Sequence, residues 1–202
     1  SVLSYNQINP FFSPIDYSNI GPLYLQFQKI NNSFIEMIEN LQLNILDYDV
    51  SNREGLVAKI YFRALFGDKF RRFDEDTINA GLNYGYIVLR SMIAKSIVSK
   101  GLNPMIGIFH KGEGNSFNLA DDIIEVFRPI VDNYVYINLS SNEILFTRSH
   151  RLELVKLLSN KVDINGKKQT ISNAIDIYID SIINYFEKGN EVLFPSVKLY
   201  DV

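Results

Sequence analysis

Residues 76–101 read DTINAGLNYGYIVLRSMIAKSIVSKG, and the spacing of their apolar side chains decides the fold class. Ile78, Leu82, Tyr86, Leu89, Ile93 and Ile97, with Gly85 among them, return to one face at the 3.6-residue period of an α-helix. The pattern predicts a long helix from about Asp76 to Lys100, stopped by Gly101. Gly81 and Gly85 lie one turn apart on it, which predicts that a neighbouring backbone approaches closely there.

Upstream, a helix is expected from near Ser51 to Gly67, and another from Leu23 to about Leu46 on the stripe Phe27, Ile30, Phe34, Met37, Ile38, Leu41 and Ile45. Residues 1–22, broken by Pro10, Pro14 and Pro22, read as a lead-in arm or linker. Downstream, Met105–His110 is a short apolar segment, read as extended, between Pro104 and the glycine-rich turn 111–114. Helices follow over 118–128, stopped by Pro129, and at about 148–160 and 170–188. Between the last two, Asn165-Gly166 marks a tight hairpin turn. The expected architecture is mainly α: a helical domain over 23–190 with a short extended segment, a possible small hairpin, and a tail over 191–202 containing Pro195. There is no internal repeat and no sustained heptad pattern.

Composition narrows the function classes. The 202 residues, 47% hydrophobic and 21% charged, suffice for a good-sized core. The absence of Cys removes disulfide frameworks, thiolate zinc sites and cysteine nucleophiles, and fits a reducing cytoplasm. No apolar run approaches the roughly 20 residues of a membrane-spanning helix, and the start lacks the pattern of a signal peptide. The first residue is Ser1, so the sequence is expected to be a fragment of a longer chain. Charge is uneven: residues 1–50 hold one basic and five acidic residues, 53–111 ten and five, and 112–202 nine and thirteen. The basic middle is a candidate surface for phosphates, against the plainer reading of a mixed-charge solvated face.

Three positions carry the candidate chemistry. Ser51-Asn-Arg-Glu54 has the spacing of a capping box, in which the acid reaches back to the helix start. Glu54 nevertheless shares a helix face with Val57, Ala58, Tyr61 and Leu65, and a buried, unpaired carboxylate there calls for a metal or cationic partner. His110, one of two histidines, ends an apolar segment at a glycine-rich turn, where it serves either as a ligand or as a satisfied core residue. Asp122 and Glu125 share one face of the following helix, with Asn118 a turn earlier, among Leu119, Ile123, Ile124, Val126 and Phe127. Glu54, His110 and Glu125, with Asp122 as a further ligand, as the group that orients His110, or as a water binder, make an oxygen-rich set with one imidazole. Such a set suits Mg²⁺ or Mn²⁺ and phosphoryl-transfer chemistry. No Walker loop, dinucleotide fingerprint or G-x-S-x-G elbow is present.

Three segments, Ser51–Gly67 (SNREGLVAKIYFRALFG), Ile78–Ser91 (INAGLNYGYIVLRS) and His110–Asp132 with its FNLADDIIEVFRPIVD run, resemble the catalytic domain of the CRISPR-associated endonuclease/integrase family, Cas one, in the right order over roughly residues 50–135. The wording looks most like members that accompany type II systems. The resemblance implies a metal triad at Glu54, His110 and Glu125, with Asp122 matching a nearby family acid. It also implies a metal-dependent enzyme in which the 3′-OH of a spacer DNA attacks a phosphodiester of the CRISPR repeat. Its partners would be double-stranded DNA, a second copy of the full-length chain and the small Cas two subunit. Family members usually begin with a β-rich domain that builds the homodimer; nothing before residue 50 reads that way, and Val126 stands where many members have Pro.

Lys59, Arg63, Tyr84, Tyr86, Lys111 and Arg128 are candidates for positioning DNA; for Tyr84 and Tyr86 the competing reading is core packing, and for Arg128 a helix C-terminus. Two alternatives stand beside the integrase: a structure-selective repair nuclease or transposon-type integrase with the same metal site, and a non-catalytic helical adaptor in which Glu54 is only a cap.

Overall fold

A computed structural model describes residues 53–140, 145–188, 194, 195 and 197–199. The expected helix over 23–46, the arm over 1–22 and Ser51 lie outside the described residues. In chain order the elements are α1 (Arg53–Phe66), α2 (Thr77–Ser99), α3 (Asn118–Leu139), α4 (Arg148–Lys156) with a 3₁₀ turn (Leu157–Ser159), β1 (Lys161–Ile164), β2 (Lys167–Thr170), α5 (Ile171–Lys188) and β3 (Val197–Leu199).

Helix α2 has its expected ends. Asp76 caps it by accepting the Asn79 N–H at 2.6 Å. At the far end Gly101 adopts φ +79°, and Gly101 and Leu102 return N–H bonds to Val98 and Ile97 at 3.0 and 3.1 Å. The predicted stripe, Ile78 through Ile97, is buried throughout. The close approach at Gly81 and Gly85 also occurs, although side chains rather than backbone fill it. A Cβ at 81 would lie 3.2 Å from Val135 of α3, and one at 85 would lie 3.1 Å from Leu154 of α4.

The predicted stop at Pro129 is overturned: α3 runs through it to Leu139. Proline in a helix interior costs about 3 kcal/mol. Beyond it, however, Ile130, Val131, Val135 and Leu139 are all buried, each worth about 1.5–3 kcal/mol of burial. Packing therefore outweighs the local breaker. Met105–His110 is likewise not a strand; it is irregular backbone wrapped against α3.

The hairpin is present, with Asn165 and Gly166 at φ +53° and +75° between β1 and β2, the two-residue turn that suits twisted strands. The tail contributes β3, antiparallel to β1 with Val162 opposite Leu199, completing a three-stranded sheet in the order β2-β1-β3. Among the described residues no helix is long and apolar enough to cross a membrane.

Candidate metal centre

The site is organised around one buried carboxylate. Asp122, on the second turn of α3, is 2% exposed. It accepts the backbone N–H of Ile108 at 2.5 Å, Phe109 at 3.2 Å and His110 at 3.0 Å, and the imidazole Nδ1 of His110 at 2.7 Å. Three successive amides and a ring nitrogen thus meet one buried charge, which explains why Met105–His110 is not extended: its donors turn inward to Asp122. Gly107 permits the turn, since a Cβ there would collide with the His110 carbonyl and come within 2.8 Å of the Asn118 Cβ.

Asn118, at the start of α3, closes the loop from the other side. Its amide donates to the Met105 and Gly112 carbonyls at 3.1 and 3.2 Å and accepts from Gly112 N–H and Asn115 Nδ2 at 3.3 and 3.0 Å. From α2, Arg90 grips both oxygens of Asp121 at 2.6 and 2.7 Å, reaches Asn115 at 3.0 Å, and lies 4.5 Å over the Phe117 ring. Nη2 makes both directional bonds, and Nε adds an ion-pair contact to Asp121.

His110 is thereby oriented. With Nδ1 held by Asp122, the neutral ring offers Nε2, the arrangement that metal-ligating histidines use. Its side chain is 42% exposed. The hydrogen bond to Asp122 raises its pKa above the ordinary 6.5; partial burial opposes this, and the charges of Asp122, Asp121 and Glu125 reinforce it. Glu125 lies three residues beyond Asp122 on the same face of α3, a quarter exposed and paired with Arg128 at 2.9 Å. These donors fit a hard or borderline divalent cation. Asp122 itself does not fit the role of a fourth ligand, because its oxygens are already taken by the loop; the geometry makes it the group that orients His110.

The third predicted ligand, Glu54, occupies the first turn of α1, and its side chain lies outside the described residues, as does the proposed cap by Ser51. Among the described residues, no three His, Asp or Glu side chains form a group that could hold a metal ion.

The DNA candidates divide. Lys59 on α1 and Lys111 in the glycine-rich turn are exposed, and Arg63 is half-buried. Tyr84 packs on Phe146 with ring centroids 5.8 Å apart. Tyr86 is a correction: it is 8% exposed, donates its hydroxyl to Asp132, and carries the Arg128 guanidinium 4.8 Å over its ring. The apolar stripe turns it inward, so it belongs to packing. Asp132 was not singled out by sequence reasoning, nor was any role for Arg90, Asn115 or Gly107. A lone Asp at the centre of an apolar helix face was the available signal. Burial pushes the Asp132 carboxyl up to about 6, although the hydroxyls of Tyr86 and Tyr61 and the guanidiniums of Arg128 and Arg72 favour its charge.

Comparison with known proteins adds a family. The profile of "CRISPR associated protein Cas1" matches residues 29–161, extending the resemblance beyond 50–135 at both ends. The chain is 38% identical over 154 residues to the CRISPR-associated endonuclease Cas1 of Neisseria meningitidis serogroup C (strain 8013), covering 75% of this chain and 50% of that protein. It is 30% identical over 143 residues to a CRISPR-associated endonuclease Cas1 of Francisella tularensis subsp. novicida (strain U112), covering 63% and 45%. The chain thus spans about half the length of the curated relatives it matches. A solved casposase bound to integration product shares the fold, with a TM-score of 0.68 at 22% identity, over 93% of this chain and 60% of that one.

Proposed function

Because the chain belongs to the CRISPR-associated Cas1 family, we propose that it carries the catalytic helical domain of a divalent-metal-dependent DNA endonuclease and integrase of CRISPR adaptation. The match over residues 29–161, which contains all three candidate ligands, carries this reading. In it, Glu54, His110 and Glu125 hold Mg²⁺ or Mn²⁺. Such an ion supplies positive charge to a phosphate oxygen and to the leaving oxygen as the phosphodiester is broken.

The chain's own residues do the rest. Asp122 keeps the proton of His110 on Nδ1 and so keeps Nε2 available. The three amides of 108–110 hold Asp122 in place, and Arg90 with Asn118 holds the loop. Lys59, Arg63, Lys111 and Arg128 meet the DNA backbone. A 3′-OH attacks a phosphorus of the repeat in line and loses its proton; one P–O bond forms, the P–O3′ bond of the repeat breaks, and the departing 3′ oxygen takes up a proton to become a free 3′-OH. Double-stranded DNA is the substrate; a second copy of the full-length protein and the small Cas two subunit are the proposed partners.

The deciding experiment is Mn²⁺-dependent nicking and strand transfer into a repeat-containing duplex, with His110→Ala as the variant. Loss of about 100-fold or more in a folded variant is expected, and an active His110→Ala protein refutes the assignment. DNA affinity should also fall steeply between about 50 and 200 mM salt; a flat response removes the phosphate-gripping surface.

A further inference from the structure

Two contacts show that α1 and α3 run in the same direction. Tyr61 of α1 donates its hydroxyl to Asp132 Oδ2 of α3 at 2.7 Å. Further along both helices, Phe66 meets Tyr136 with ring centroids 6.4 Å apart. Position 54 lies seven residues before Tyr61, and Glu125 lies seven before Asp132. Two helical turns return a residue to nearly the same face, about 10 Å along the axis. Each of the two positions on these helices assigned to the metal in the reading above therefore lies two turns before one partner of the Tyr61–Asp132 bond.

Asp132 is built to hold the two helices in register. It is 1% exposed; one oxygen accepts Tyr61 from α1 and the other accepts Tyr86 from α2, so a single carboxylate ties three helices. Around it, the anchorage of α1 is apolar: Tyr61 and Leu65 are buried against Tyr136 and Leu199. Apolar contact is non-directional and lets a helix roll or slide. A hydrogen bond to a fixed carboxylate does not.

We infer that Tyr61, Asp132 and Tyr86 form a positioning tether that sets the roll and axial register of α1 against α3, and so brings position 54 opposite Glu125 for a shared divalent cation. The inference rests on the metal-site reading above.

The test is Mn²⁺ binding to the full chain, followed by loss of the free-ion EPR signal, with urea denaturation alongside. Tyr61→Phe keeps the ring and removes one hydroxyl; it is expected to remain folded and to bind Mn²⁺ about tenfold more weakly. Ser96→Ala cuts a partly buried hydroxyl–carboxylate bond, to Asp176, between α2 and α5, neither of which carries a candidate ligand. It is expected to lose stability and to keep Mn²⁺ affinity within about twofold. Unchanged binding in Tyr61→Phe, or an equal fall in Ser96→Ala, overturns the tether. If Glu54→Gln then abolishes binding, the metal site stands without it. No Mn²⁺ binding by the unaltered chain overturns the site, and the tether with it.

Discussion

The two sides of the candidate site are built differently. On the His110 side, loop and helix are sewn together: Asp122 takes four hydrogen bonds from the loop, and Asn118 and Arg90 clamp its two flanks. On the Glu54 side, α1 rests on a small aromatic cluster and a buried bond from Tyr61. Among the described residues, one side shows many directional contacts and the other is chiefly aromatic packing. Changes on the loop side should therefore cost stability and metal binding together, whereas changes at α1 should separate the two.

The largest expected effect is Asp122→Ala. It leaves three amides and a ring nitrogen without their acceptor in a buried setting, and about 3–5 kcal/mol should be lost, measured by urea denaturation. A loss below about 1 kcal/mol would show that the loop holds itself. Next comes Gly107→Ala, where the added methyl meets backbone that cannot yield. A cost of about 2–3 kcal/mol, with weakened Mn²⁺ binding, is expected in the same assay.

The third test uses pH. The Asp132 carboxyl stands at about 6 in the folded chain against 3.8 when free, so the native state keeps its proton to higher pH. Its contribution to stability is complete below about pH 4 and is lost as the pH rises through 6, a change of about 3 kcal/mol. Unfolding midpoints at pH 4.5 and 7.5 should differ more in the unaltered chain than in Asp132→Asn; equal differences would place Asp132 outside the linkage. His110 titrates in the opposite sense for metal: its raised pKa means that protons compete for Nε2, so Mn²⁺ affinity should weaken as the pH falls, beginning above the ordinary 6.5. The smallest effect is Arg90→Lys, which keeps the charge and removes the guanidinium that donates to both Asp121 and Asn115. About 1 kcal/mol or less is expected for this partly exposed pair, with a several-fold loss of strand transfer if the loop loosens.

Sequence reading reached some of this and missed the rest for identifiable reasons. The α2 stripe, the Gly67 and Gly101 stops and the Asn165-Gly166 hairpin are local: period, cap and turn chemistry act within a few residues. Pro129 and Met105–His110 were misread because each depends on a partner distant in sequence, the α2 groove in one case and Asp122 in the other. Asp132 and Arg90 escaped notice because a polar residue in an apolar run carries no indication of what it will meet.

The linear order of residues determined which segments are helical, which faces are apolar, and which acids and imidazole share a family pattern, since periodicity and end signals are properties of neighbours in the chain. Tertiary structure decided that Asp122 serves His110, that Tyr86 turns inward, and that α1 and α3 are held in register by Asp132. Those outcomes depend on which buried polar groups find each other, and burying any of them without a partner costs more than a local preference can repay.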